Sequence, residues 1–430
     1  MTPRPERANG PPIGGGDARS ASRVDVAIVG GGPAGLAAAT ELRRVGAGQV
    51  VVFEREREAG GIPRHAKHQG FGLRDLHRAM SGPRYARRWA ELASDAGAQL
   101  ELSAQVTGWT QDGELEVTSP RGRDAIAARA VVLATGCRER PRSARLVAGT
   151  RPQGVLTTGT LQQLVYLAGA PVGRRAVVVG AEHVSFSALL TLAHGGARAV
   201  AMATELERHQ SLALFRLGSA VRFRTPLHTR TRVTAIHGAR RVEAVELTDL
   251  DSGAIRTIAC DLVVFTDDWV PDHELAVLGG AELDPLTRGP AADAALRSTR
   301  PGLFAAGNVL HGAETADVAA LGGRHVATAV AAHLAGEPWP AGHIPVRCRD
   351  RLSWVAPNLV AASDGPPPRG RYLIRAREFL HGARVMVTQD GRELHAQRLR
   401  RLGPGRSAAL AADWGARVDP DGGAVEITGR

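Results

Sequence analysis

The sequence predicts an α/β chain made of two strand–turn–helix–strand units, the second inserted in the first, with a small β-rich module after them. Three observations predict it. Residues 26–54 read VAIVGGGPAGLAAATELRRVGAGQVVVFE: a buried strand, a glycine turn, an amphipathic helix and a second strand ending in an acid. Arg175 to Gly180, RAVVVG, is another apolar strand with a glycine at its end; a helix follows through Leu192, then a strand from Ala197 to Ala203. From residue 345 onward the apolar runs are short, and Asp390-Gly391 is a turn pair that closes a hairpin over Val385 to Arg398.

The first unit carries the clearest chemistry. Gly30 makes the tight turn, Gly32 lets the backbone approach a pyrophosphate, and Gly35 lets the helix pack close to the strand. The helix N-terminus then presents its amides and positive dipole end to the phosphates. Glu54 follows Gly35 at roughly the 20-residue spacing at which a carboxylate takes a ribose 2′-OH. The motif therefore reads as a Rossmann-like dinucleotide-binding loop in its full context, and its repeat from Arg175 reads as a second one.

The remaining elements follow in chain order. Residues 1–22 are rich in Pro, Gly, Arg and Ala, lack the apolar region of a signal peptide, and read as a disordered tail. Tyr85 to Ala96 is helical, Gln99 to Val106 and Glu114 to Val117 are strands, and Ala130 to Gly136 is a buried strand running into a turn. In the second unit TGTLQQLVYL is a helix, and Val242 to Leu247 and Ile255 to Phe265 are closing strands. Residues 269–336 return to helix and turn patterns, 337–344 are a Pro-rich linker, and 345–430 form the β-rich module, which reads as a packing or docking appendage.

Composition excludes several classes. The 430 residues are 43% hydrophobic, enough for a sizeable core, and no apolar run approaches the roughly 18 residues of a membrane span. A cytoplasmic protein is expected. The net charge of +11 comes almost wholly from arginines scattered without aromatics, which make up 4%, so a nucleic-acid partner is not expected. Lys67 is the only lysine. The cysteines, Cys137, Cys260 and Cys348, are far apart and form no CxxC, so no metal site is expected.

Four landmarks then line up: Gly30, Gly32 and Gly35 with Glu54; Gly60-Gly61; Ala134-Thr135-Gly136; and Thr299-Arg300-Pro301 followed by Ala305-Ala306-Gly307-Asn308. This set resembles the FAD-binding half of the two-dinucleotide-binding-domain flavoproteins, the glutathione-reductase-like superfamily, over about residues 24–336. The runs HQGFGL from His68, ATGCRERPR from Ala134, TRPQGVLTTGTLQQ from Thr150, LDPLTRGP from Leu283 and AGNVLH from Ala306 are similar to a narrower group. These are the flavoprotein subunits of glycerol-3-phosphate dehydrogenase-type, sarcosine oxidase α-type and hydrogen cyanide synthase-type systems, with hydroxyproline dehydrogenase.

The resemblance implies an FAD-binding domain at 23–148 and 269–336 and an NAD(P)-binding-like domain at 149–268. It implies FAD as cofactor, held by the first loop with Pro33 and Ala34, by Glu54 and by Gly307 and Asn308 near the ribitol. It adds Arg55, Gly61, Ile62, Val106, Ala134, Thr135 and Gly136 to the FAD contacts. Asn308 stands where the pattern has Asp and can still donate and accept hydrogen bonds. The narrower group implies a partner, either a second flavoprotein or an iron-sulfur subunit, beside a small-molecule substrate.

Two departures from the pattern bear on mechanism. After the first loop, where disulfide reductases carry a cysteine pair, this chain reads GGIPRHAKH, so no thiol can receive electrons there. In the second loop Gly180 is kept, but the middle glycine is Glu182 and the last is Ser185. A side chain at the middle position hinders a pyrophosphate and a carboxylate repels it, so NAD(P) binding is expected to be weak or lost. Glu205, just past the following strand, remains placed for an NAD ribose.

Candidates for work beside the flavin are Lys67, a compact ammonium able to stabilise an anionic reduced ring, and the proton carriers His65, His68 and His311. Three functions fit these residues. The first is an FAD-dependent oxidoreductase, a subunit of a dehydrogenase or oxidase for a small amine, amino acid or polyol phosphate. The second is an NAD(P)H-dependent FAD reductase feeding a partner protein. The third is a non-catalytic flavin-bearing scaffold.

Overall fold

A computed structural model describes residues 22–211 and 221–430. The expected tail falls on residues 1–21, outside the described residues, while Ser22 already opens the first strand. In chain order the main elements are β1 (Ser22–Val29), α1 (Pro33–Arg44), β2 (Val50–Glu54), α2 (Gly82–Asp95) and β3 (Gly122–Leu133). The second unit contains α3 (Thr158–Tyr166), β4 (Arg175–Val179), α4 (His183–His194), β5 (Arg198–Ala203) and β6 (Leu262–Phe265). The chain then returns to the first unit through β7 (Leu303–Ala305) and α5 (Ala316–Leu334).

β1 lies between β2 and β3, parallel to both, and β7 pairs parallel with β3. Strands covered on both faces read as continuous Val/Ile runs rather than alternating ones, and Val26, Ile28 and Val52 have no exposed surface. α1 and α5 pack on one face of this sheet. Their approach is close enough that a Cβ at Gly323 would stand 2.0 Å from the Ala34 carbonyl oxygen.

The second unit repeats the plan: β4 lies between β5 and β6, parallel to both. Two expected strands are broken. Gln99 to Val106 splits into Gln99–Leu102, parallel to β2, and Gln105–Trp109, antiparallel to Leu115–Ser119. The expected strand Ile255 to Phe265 is broken. Ile255–Ala259 pairs antiparallel with Ala244–Asp249, whereas β6 joins the parallel sheet. The break is at Asp261, whose Oδ1 accepts from the backbone N–H groups of Arg174 and Arg175, each at 2.8 Å. An apolar run cannot reveal that an acid inside it leaves one sheet for another.

The C-terminal module has a five-stranded and a three-stranded sheet. Its core holds Val385, Val387, Leu410 and Ile427, with Tyr372 stacked on Trp414 at 4.5 Å. The expected hairpin is present but longer, Leu380–Gln389 with Arg392–Leu402. Asp390 and Gly391 both have positive φ, 49° and 80°, as the tight two-residue turn requires. The module is fastened to the first unit by the buried Asp293, which accepts from Arg297 Nε at 2.6 Å, while Arg297 Nη2 donates to Asp364 at 2.6 Å. Among the described residues no helix is long and apolar enough to cross a membrane.

Candidate functional site

The first glycine loop is the turn between β1 and α1. Gly30 has φ +108°, and a Cβ there would meet the Ala134 carbonyl oxygen at 2.5 Å. A Cβ at Gly35 would meet the Gly30 carbonyl oxygen at 2.0 Å. Gly32 is the N-cap of α1, and a Cβ there would meet nothing within 4 Å. No side chain caps α1, Pro33 starts its first turn, and Ala34 is buried beside Gly307, whose own Cβ would stand 2.7 Å from that of Ala34. An uncapped helix end with open space before it is the cradle a pyrophosphate needs, so the residues present fit a bound FAD.

Glu54 ends β2 with both oxygens engaged: Oε2 accepts from the Gly31 N–H and Oε1 from the Glu56 N–H, each at 2.9 Å. Each oxygen keeps a lone pair for a ribose hydroxyl. Burial raises its carboxyl above the ordinary range, against the pull of those amides. Gly61 lies on the same loop: a Cβ there would be 3.0 Å from the Gly32 Cα. Ile62 is exposed, Arg55 is exposed with Asp272 at 4.0 Å, and Val106 is buried. The turn of Ala134, Thr135 and Gly136 is tied to Asp272, whose carbonyl accepts from Thr135 Oγ1 at 2.7 Å and whose N–H donates to the Gly136 carbonyl at 2.9 Å.

Asn308 bonds across its own loop with both ends of its amide. Its Nδ2 donates to the Glu314 carbonyl at 3.2 Å and its Oδ1 accepts from the Glu314 N–H at 3.0 Å. A carboxylate could only accept, so the Asn that departs from the family pattern is what closes the 308–314 loop.

That loop carries His311, and here the C-terminal module contributes directly. The buried His311 ring stacks on Trp354 at 4.7 Å, and the Arg375 guanidinium lies over the same Trp354, 4.8 Å from the ring centre. Arg375 Nη2 donates to the Ala313 carbonyl at 3.0 Å and stands 3.6 Å from Glu314 Oε1, while Arg375 Nε is buried without a partner. Burial is the main reason the His311 pKa is pushed down to about 4, with Glu314 opposing and Arg375 assisting. Beside the group a small open cleft is lined in part by Asn308, His311, Glu314, Pro357, Arg369 and Leu373.

The other candidates, His65, Lys67 and His68, lie apart from His311. His65 is buried with Nδ1 3.2 Å from Gln162 Oε1, in the seam between the two units, and burial lowers its pKa. Lys67 is exposed, with Nζ 5.1 Å from the centre of the Tyr166 ring. His68 packs on Phe71 with Nδ1 3.0 Å from the Gln69 carbonyl. Among the described residues no hydrogen bond or ring contact joins these three to the His311 group.

Trp354 and Arg375 were missed in the sequence, where the module reads as an appendage. The signal was faint: in Arg371–Ala376, RYLIRA, alternation buries Tyr372, Ile374 and Ala376 in the module's core and turns Arg375 to the opposite face.

The second loop has the same backbone as the first but different chemistry. Gly180 has φ +133°, matching Gly30, and the N-cap dihedrals of Glu182 (φ −99°, ψ −175°) match those of Gly32 (φ −81°, ψ −177°). The Glu182 side chain, however, caps α4, accepting from the N–H groups of Val184 and Ser185. Glu205 is exposed and paired with Arg232 at 2.6 Å.

A family model described as pyridine nucleotide-disulphide oxidoreductase matches residues 24–323. An opine oxidase subunit of Rhizobium meliloti is 28% identical over 331 residues, covering 68% of this chain and 60% of that protein. The chain thus spans about three fifths of that relative's length. Thioredoxin reductase of Treponema pallidum (strain Nichols) is 28% identical over 233 residues, covering 54% of this chain and 71% of that one. Among solved structures, T. acidophilum thioredoxin reductase shares the fold with a TM-score of 0.60 at 22% identity, covering 72% of this chain and 98% of that one.

Proposed function

The chain belongs to the pyridine nucleotide-disulphide oxidoreductase family and is an FAD-dependent oxidoreductase, and from that premise we propose that it is one subunit of a dehydrogenase or oxidase for a small amine, amino acid or polyol phosphate. Electrons reach the FAD without a redox disulfide. The observation that carries this reading is the group around His311, where Trp354 and Arg375 of the C-terminal module meet the loop that follows Asn308. Similarity to the opine oxidase subunit, 28% identical, supports the amine and amino-acid side of the range and the presence of a partner.

When bound, FAD supplies the electron sink that accepts a hydride from substrate carbon. The chain's own residues supply recognition and water exclusion. The buried Arg375 guanidinium sets positive charge beside the His311 loop, which favours a carboxylate or phosphate there, the anionic group shared by amino acids and polyol phosphates. His311, neutral at pH 7, offers a hydrogen bond to the substrate's amine or hydroxyl. Trp354 fixes both side chains by stacking and keeps the spot dry.

The test is an anaerobic titration of the flavin-loaded protein, alone and with candidate partner subunits, with N-carboxyalkyl amino acids, free amino acids and polyol phosphates. Bleaching of the oxidised flavin band by one class, with a raised KM in Arg375→Met, is the expected result. Bleaching by NADH or NADPH and by none of these would overturn the reading.

A further inference from the structure

The two glycine loops share one backbone geometry, so they compare side chain against side chain. In the first, the amides opening α1 have no side-chain partner and the space before Gly32 is empty. In the second, Glu182 Oε1 accepts from the Ser185 N–H at 3.1 Å, and its other oxygen accepts from the Val184 N–H. Ser185 Oγ in turn accepts from the Glu182 N–H at 3.2 Å. A carboxylate at a helix N-terminus uses the same donors and the same dipole that a phosphate uses. We propose that Glu182 is an internal ligand that closes the second dinucleotide site to NAD(P), and is thus the residue that decides which electron donors this enzyme accepts.

Further contacts seal the same place. The Gln210 N–H donates to the Ala181 carbonyl at 2.9 Å, and Gln210 Nε2 donates to Asp267 Oδ2 at 2.9 Å, which straps a side chain across the loop. Gly405 of the C-terminal module packs on that strap, since a Cβ there would stand 2.0 Å from Gln210 Oε1. Ser185 Oγ also bonds Thr266 Oγ1, and a Cβ at Gly180 would meet that Thr266 oxygen at 2.1 Å. Asp267 places a second carboxylate beside Glu182, and burial together with that neighbour raises the Glu182 carboxyl to about 8. Occupation of the amides, more than charge repulsion, therefore does the excluding. A pyrophosphate would have to displace Glu182 and leave its carboxyl buried without those donors, a cost the first loop never meets.

The inference stands apart from the substrate proposed above, because it concerns only the nicotinamide side. It is tested by titrating the flavin-loaded protein with NADH and NADPH and following nicotinamide fluorescence anisotropy. Wild type is expected to show no saturation up to on the order of 1 mM, and Glu182→Gly/Ser185→Gly to bind at least about 10-fold more tightly. Should the double variant not fold, Glu182→Ala, which keeps Ser185, is expected to shift binding in the same direction. Micromolar binding by wild type overturns the proposal. So does a folded Glu182 variant that binds no better than wild type. Flavin bleaching by the organic substrate is unchanged in these variants, so either failure leaves the proposed function standing.

Discussion

Glu182 and Ser185 cap each other: the carboxylate accepts from the Ser185 N–H at 3.1 Å, and the Ser185 hydroxyl accepts from the Glu182 N–H at 3.2 Å. This reciprocal cap sits where the first loop has Gly32 and Gly35. The chain therefore holds two copies of one turn, one whose helix amides are free of side chains and one whose amides the Glu182 carboxyl already occupies.

Copying the second loop into the first should expel the cofactor. Gly32 has ordinary extended dihedrals, φ −81° and ψ −177°, and open space before it, so Gly32→Glu is tolerated by the backbone. Its carboxylate can reach the α1 amides as Glu182 reaches those of α4. We expect the variant to fold and to purify with less than about a tenth of the wild-type flavin, a loss of at least about 1.4 kcal/mol in FAD binding. Flavin absorbance per protein after gel filtration checks it.

Asn308→Asp should loosen the loop that carries His311. The aspartate still accepts from the Glu314 N–H but faces the Glu314 carbonyl, at 3.2 Å from the present Nδ2, with no proton to give. A cost of about 1–3 kcal/mol follows from that lost donor. Urea unfolding midpoints of the two proteins measure it, and Asn308→Ser, with a hydroxyl donor, should recover part of the loss.

His311 should make the protein acid-labile. Its folded pKa, about 4, lies below the ordinary 6.5, so the stability it contributes is complete above about 6.5 and is lost as pH falls through 4. The shift corresponds to roughly 3 kcal/mol. His311→Gln removes the titration, and its urea midpoint should fall less than that of wild type between pH 7 and pH 4.

Glu182 should act with the opposite sign. Its folded pKa, about 8, is raised above 4.5, so its contribution is complete below 4.5 and is lost as pH rises through 8. Glu182→Gln cannot titrate, so the midpoint difference between wild type and variant should shift toward the variant across that window. A difference independent of pH would show that the carboxyl is not held in this environment.

Thiol reagents should leave electron transfer intact. Burial pushes the Cys137 thiol up to about 12 and the Cys260 thiol up to about 11, and raises Cys348 as well, so none is a thiolate at neutral pH. Substrate-driven flavin bleaching should be equal, within a factor of about two, in wild type and in Cys137→Ala. A large loss in that variant would restore a thiol to the electron path.

The sequence by itself determined the two βαβ units, because glycines at 30, 32 and 35 and the apolar runs around them are local requirements of a strand–turn–helix corner. It also showed that Glu182 and Ser185 stand where the first loop has Gly32 and Gly35. Only the tertiary structure decided what Glu182 does there, which is to accept the amide protons of Val184 and Ser185, because a side chain's rotamer and partners are set by packing. Only the fold likewise brought Trp354 and Arg375 to His311 across more than 40 residues of chain. Such contacts carry no period and no spacing: they arise when a separately cored module docks, and the residues that meet there are chosen by the surfaces, not by their neighbours in sequence.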